Sequence, residues 1–134
     1  MSRYLIDSYA WIEYFRGTKE GERARPYIEG SYVIVPTIIL AEVYNKFLKE
    51  IEKGNETSDG AKQKLDFMMA RGRVVELDED IALYATEINW KMKKIKKGWG
   101  LADSIIYATA LTYRAAVVTG DEHFRDLPQV IMIK

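Results

Sequence analysis

The stretch "AAVVTGDEHF", Ala115 to Phe124, decides how this chain is read. Small and β-branched residues run without a break into a threonine, a glycine and two adjacent acids. A continuous apolar run of this length suits a parallel strand covered by helices on both faces. Its acidic ending needs a separate reason, because a buried strand gains nothing from negative charge at its tip. Working outward, four more short runs have the same character: "RYLID" (Arg3 to Asp7), "YVIVP" (Tyr32 to Pro36), "RVVEL" (Arg73 to Leu77) and "QVIMIK" (Gln129 to Lys134). Stretches of helical periodicity separate them. The alternation predicts an α/β fold, a three-layer α/β/α sandwich around a mostly parallel sheet of about five strands.

The helical stretches differ in how much of their surface is apolar. Leu40, Tyr44, Phe47 or Leu48, and Ile51 keep one stripe, and Ile81, Ala85, Ile88, Met92 and Ile95 keep another, so each of these helices has a wet face. "SYAWIEYF" and "ADSIIYATAL" are apolar almost all round, which predicts that they lie against the sheet and a neighbour at once. Gly54, Asn55 and Gly72 punctuate a helix hairpin between Thr37 and Arg71, and Gly98 and Gly100 bracket Trp99 ahead of the last long helix.

Composition narrows the function classes. With 134 residues, 48% of them hydrophobic, residues 1–134 are expected to form a single domain with a core of its own. There is no cysteine, hence no disulfide framework and no zinc-ribbon pattern. The N-terminal "MSRYLIDSYAW" lacks the form of a signal peptide, and no apolar run approaches the roughly 20 residues that cross a bilayer, so a cytoplasmic protein without a membrane role is expected. Twenty Lys and Arg balance twenty Asp and Glu, which excludes the overall basic footprint of a dedicated nucleic-acid binder and leaves only local clusters to consider.

In an open parallel sheet, ligands bind outside the carboxyl ends of the strands, where the strand order reverses. Asp7 ends the first strand and Asp121 follows the fourth, so both carboxylates are expected at that edge. Glu42 falls in the early turns of the helix after the second strand, and Asp103 near the start of the helix that leads into the fourth. Singly, each acid has an ordinary structural use. Asp7 or Ser8 suits a helix cap, Asp103 the positive end of a helix dipole, Asp121 a turn, and Glu42 an ion pair with Lys46. Those uses do not explain why all four fall at one edge. Carboxylates gathered within a few ångströms repel one another unless a cation lies between them, and oxygen-only donors select a hard divalent ion, Mg²⁺ or Mn²⁺. A water on such an ion is a nucleophile for phosphodiester hydrolysis. Thr119 is placed to orient a ligating carboxylate, or is simply a β-branched strand residue.

Four segments in this order resemble the PIN-domain family, and most closely its VapC-like toxins: "LIDSYAWIEYF", "VPTIILAEVYNKF", "GLADSIIYATAL" and "AVVTGDEHF". The resemblance runs the length of the chain. It implies a sandwich with a mostly parallel sheet, metal-dependent endoribonuclease activity on RNA, a homodimer, and a cognate antitoxin as inhibitor. Asp7, Glu42, Asp103 and Asp121 match the family's acidic positions, and Ser8 and Thr119 its small hydroxyl neighbours. The chain departs from the pattern at His123, where some members carry a further acid, and that puts a second metal site in doubt.

His123, the only histidine, is expected to pack or hydrogen-bond at its loop, and Glu122 to be solvated. The run "KMKKIKKGWG" brings Lys91, Lys93, Lys94, Lys96 and Lys97 close to Asp103, either as a cationic rim for RNA, with Lys94 and Lys97 as contacts, or as the wet face of a helix. Trp99 suits stacking on a base or docking into a dimer. Tyr44, Phe47, Leu48, Phe67, Met68 and Met69 of the hairpin form either an antitoxin or subunit surface, or core. Two other readings fail or recede. A phosphoacceptor receiver would need adjacent acids after the first strand, and a dinucleotide-binding enzyme a G-x-G-x-x-G turn there. A catalytically silent PIN-like module that binds RNA or protein remains the alternative to an enzyme.

Overall fold

A computed structural model describes residues 2–134. Five strands form one sheet in the order β3-β2-β1-β4-β5: β1 (Arg3–Ile6), β2 (Tyr32–Pro36), β3 (Arg73–Val75), β4 (Ala116–Thr119) and β5 (Val130–Met132). Every pairing is parallel, so the expected mostly parallel sheet is wholly so. Six helices connect the strands: α1 (Ser8–Arg16), α2 (Lys19–Glu29), α3 (Thr37–Glu52), α4 (Ser58–Arg71), α5 (Glu79–Met92) and α6 (Leu101–Thr112). The chain first moves from β1 through β2 to the β3 edge, then returns past β1 to β4. Because parallel crossovers are right-handed, this reversal puts α1 to α4 on one face and α5 with α6 on the other. The sandwich of three layers follows directly.

Burial of the strands explains their sequences. Leu5, Ile6, Val33, Ile34, Val35, Val117 and Val118 are buried together with Ala10, Trp11, Ile39, Val43 and Phe124 in one cluster. A smaller cluster, Ile81, Ala85 and Ala108, joins α5 to α6. The hairpin between Thr37 and Arg71 is α3 and α4, as its glycines indicated.

Three expectations change. Strand edges are shorter, with Glu76 and Leu77 outside β3 and Asp7 just past β1, where it caps α1. Helix α2, which carries Gly21 and Pro26 within it, is not among the helices read from the sequence. It forms because Gly17 ends α1 at φ 69, Thr18 caps the next helix by accepting from the Gly21 N–H, and α2 then packs onto α1. Gly21 is needed at the crossing, since a Cβ there would lie 2.1 Å from the Glu13 carbonyl oxygen. The third change is at the end of α5. That helix stops at Met92, and the lysine-rich segment turns through Gly98 at φ 83, leaving Ile95 exposed instead of on the apolar stripe.

Candidate active site

The reversal of strand order lies between β1 and β4, and the crevice it opens is where the acids gather. Ile6 pairs with Val118, so Asp7 and Thr119 emerge side by side at the carboxyl edge. The Asp7 N–H donates to the Val118 carbonyl at 2.9 Å, tying the turn to β4. Asp7 is only 3% exposed. Its Oδ1 accepts from the Ser8 N–H at 2.9 Å, the capping bond that starts α1, and its Oδ2 accepts from the Thr119 hydroxyl at 2.7 Å. The same hydroxyl oxygen accepts from the Asp121 N–H at 2.9 Å. One buried threonine therefore orients the carboxylate after β1 and the backbone of the acid after β4.

The other acids come from α3, the start of α6 and the loop after β4. Glu42 lies in the second turn of α3, which begins directly at the end of β2. The ion pair with Lys46 does not form; Lys46 pairs instead with Glu50 at 3.2 Å. One Glu42 oxygen, Oε1, is buried without a hydrogen-bond partner among the described residues. Asp103 is the third residue of α6 and accepts from the Gly100 N–H at 3.1 Å, so its helix-start role is real. Asp121 caps the short 3₁₀ turn Glu122–Phe124 by accepting from the His123 N–H at 2.9 Å. Asp7, Ser8, Glu42, Asp103, Asp121 and His123 all line one open cleft of about 640 Å³.

The electrostatics register this crowding. Burial pushes the Asp7 carboxyl up to about 7, against the pull of its bonds from Thr119 and Ser8, and the nearby charges of Glu42 and Asp121 push in the same direction. Glu42 is also raised, first by burial and then by Asp103 and Asp121, with the Ser8 side chain partly opposing. A group of carboxylates that is desolvated, self-repelling and includes an orphaned oxygen is suited to a cation. The donors are almost all hard oxygens, which fits Mg²⁺ or Mn²⁺. Asp103, Asp121 and His123 could share one ion, since one ligating atom from each lies within 4.8 Å of the others.

Of the residues expected to meet RNA, Lys94 and Lys97 are exposed, whereas Trp99 is not. Trp99 is 3% exposed, its indole N–H donates to the Ser104 hydroxyl at 2.7 Å, and its ring packs against Phe124 and Tyr107. Gly98, at φ 83, lets the chain turn just before the indole, and a buried Trp99 offers no surface for stacking on a base or for docking into a dimer. The accessible tryptophan is Trp90, 71% exposed with the Lys94 ammonium over its ring. Only its position on the solvent face of α5, opposite Ile81 and Ala85, could have marked it in the sequence. Glu122 is exposed and pairs with Arg125, as expected of a solvated residue. In the hairpin, Phe47 and Met68 are core, while Tyr44, Leu48, Phe67 and Met69 are exposed. Arg16, Lys46 and Lys134 also line the cleft and bring positive charge to it.

The PIN-domain family model matches residues 4–130. The chain belongs to the PIN-domain family. Among solved structures, this PIN domain is similar to a chain of a toxin–antitoxin complex from Klebsiella pneumoniae, with a TM-score of 0.74, 21% identity and 98% of each chain covered. It is similar to a chain of VapBC2 from Rickettsia felis bound to a fragment of its promoter DNA, with a TM-score of 0.73 and 17% identity over 97% of this chain and 96% of that one. Mycobacterium tuberculosis VapC20, a sarcin–ricin loop cleaving toxin, aligns with a TM-score of 0.66 and 16% identity over 95% of this chain and 98% of that one. These likenesses show a shared fold along nearly the whole chain. A comparison with curated protein sequences finds no match.

Proposed function

We propose that this PIN domain is a metal-dependent endoribonuclease that hydrolyses RNA phosphodiester bonds, and that it is the toxin of a cytoplasmic toxin–antitoxin pair. The observation that carries this reading is the meeting of Asp7, Glu42, Asp103 and Asp121 in one cleft at the strand-order reversal, with a Glu42 oxygen buried and unpartnered. These four carboxylates would hold Mg²⁺ or Mn²⁺. When bound, such an ion supplies an acidified water and stabilises charge on phosphate. The protein's own contribution is orientation. Thr119 and the Ser8 N–H fix the Asp7 rotamer, the start of α6 presents Asp103, and the basic residues lining the cleft, Arg16, Lys46 and Lys134, with the exposed Lys94 and Lys97, draw a polyanion toward the acids.

The toxin reading draws on the toxin–antitoxin complexes among the similar structures. Exposed Tyr44, Leu48, Phe67 and Met69 on α3 and α4 would take an apolar antitoxin segment. Exposed Leu83, Trp90 and Ile95 along α5 and the turn after it would take a second copy, giving a homodimer.

Purified protein incubated with structured RNAs, with and without EDTA and beside Asp7→Asn and Asp103→Asn, tests the enzyme. Cleavage should require the ion and both acids. Cleavage that survives chelation or both variants would falsify the mechanism, and RNA retained without cutting would mark a binding module instead. For the pairing, expression of the chain alone should arrest growth, and co-expression with the adjacent reading frame should restore it.

A further inference from the structure

His123 lies in the 3₁₀ turn that Asp121 caps, and its geometry there is that of a ligand more than of a loop filler. Three contacts hold the residue. Its backbone N–H donates to Asp121 Oδ1 at 2.9 Å, which sets the 3₁₀ turn. The next residue, Phe124, is fully buried and packs on Trp99 and Tyr107, anchoring the turn to the core. The outer edge of the ring rests against Gly98, where a Cβ would come 3.0 Å from Nε2, so the glycine at φ 83 makes room for the imidazole. With Nε2 on the Gly98 side, Nδ1 faces the acids, 3.0 Å from Asp103 Oδ2 and 3.7 Å from Asp121 Oδ1. Its partners are therefore two of the carboxylates that would hold the ion.

We propose that His123 Nδ1 is a direct nitrogen ligand to the divalent ion held between Asp103 and Asp121, and that this donor makes the site select Mn²⁺ over Mg²⁺. The inference rests on the metal-site reading above and extends it from charge to ion identity. Mg²⁺ demands oxygen donors and keeps its waters, whereas first-row transition ions accept imidazole alongside carboxylate. An acid at this position would leave an all-oxygen set with one more negative charge, which suits Mg²⁺. Histidine removes that charge and adds a softer donor.

The test needs no RNA. Mn²⁺ added to the metal-free protein should show nitrogen coupling in its pulsed paramagnetic resonance spectrum, and the coupling should vanish in His123→Asp and His123→Asn. Calorimetric titration should find Mn²⁺ bound at least roughly tenfold more tightly than Mg²⁺ by the native protein, with the ratio falling toward one in His123→Asp. Near-ultraviolet circular dichroism, which reports the packing around Trp99, checks that both variants keep the fold. Mn²⁺ bound through Asp103 without nitrogen coupling, or a selectivity that ignores His123→Asp, would overturn the proposal while leaving the metal site intact. Absence of any bound ion, judged by titration of native protein against Asp103→Asn, would overturn the metal-site reading and this proposal together.

Discussion

Thr119 shows how much one side chain can organise. Its hydroxyl donates to the Asp7 carboxylate and accepts from the Asp121 backbone, so an isosteric Thr119→Val change removes both bonds without opening a cavity. Leaving a buried carboxylate oxygen and an N–H unsatisfied should cost about 1–3 kcal/mol, read by urea unfolding. Metal affinity should fall roughly 10–100-fold, read by calorimetry, and Thr119→Ser should restore most of both. A second prediction concerns pH. Because the Asp7 carboxyl is raised from 3.8 to about 7 in the folded protein, the unfolded chain loses this proton first as pH rises. In EDTA, therefore, this group's contribution to stability declines across about pH 4 to 7, and the raised Glu42 carboxyl acts in the same direction. Melting temperatures of Asp7→Asn should gain on the native protein across that window, and saturating Mn²⁺ should reverse the gain by binding the ionised native site. The placing of all four acids at one edge could be read from the residue pattern, because Asp7 and Asp121 follow strand ends and Glu42 and Asp103 fall in the early turns of helices. The unpartnered oxygen of Glu42 could not, since Lys46 at i+4 pairs with Glu50 and only coordinates reveal that choice.

Elements tell a similar story of periodicity seen and packing hidden. The apolar runs of β1, β2 and β4 are continuous because helices cover both faces, and that made them readable. Helix α2 was not, because the glycine that allows its close crossing with α1 has the same identity as one that breaks a helix. The segment after α5 misled in the opposite direction. Its lysines suggested a wet helix face and its tryptophan a surface platform, yet Trp99 is core between α6 and the 3₁₀ turn. Trp99→Ala should therefore destabilise by about 3–5 kcal/mol in urea unfolding, a cost a surface residue would not show. Trp99→Phe, which loses only part of the volume and the bond to Ser104, should cost less.

On the scale of the whole molecule, the order β3-β2-β1-β4-β5 creates the site, because the chain reverses direction between β1 and β4 and two loops part there. The outer surface is organised too. Leu83 and Trp90 on α5, and Ile95 in the turn after it, are exposed apolar residues, and Trp90→Lys should convert the proposed dimer to monomer in light scattering while melting of the monomer unit changes little. A dimer that survives this change would place the second copy elsewhere. Net charge of zero hid the local gathering that the fold makes, with Asp7, Glu42, Asp103 and Asp121 in one cleft that Arg16, Lys46 and Lys134 also line.

By itself, the sequence determined the layered α/β architecture and the edge on which the acids fall, because hydrophobic periodicity and strand ends are local properties of the chain. Tertiary structure alone decided which acid keeps an unpartnered oxygen, which tryptophan meets solvent and which way the His123 ring points. Those outcomes depend on neighbours distant along the chain, as Thr119 is from Asp7 and Gly98 from His123, and no local pattern encodes which of several available contacts is made.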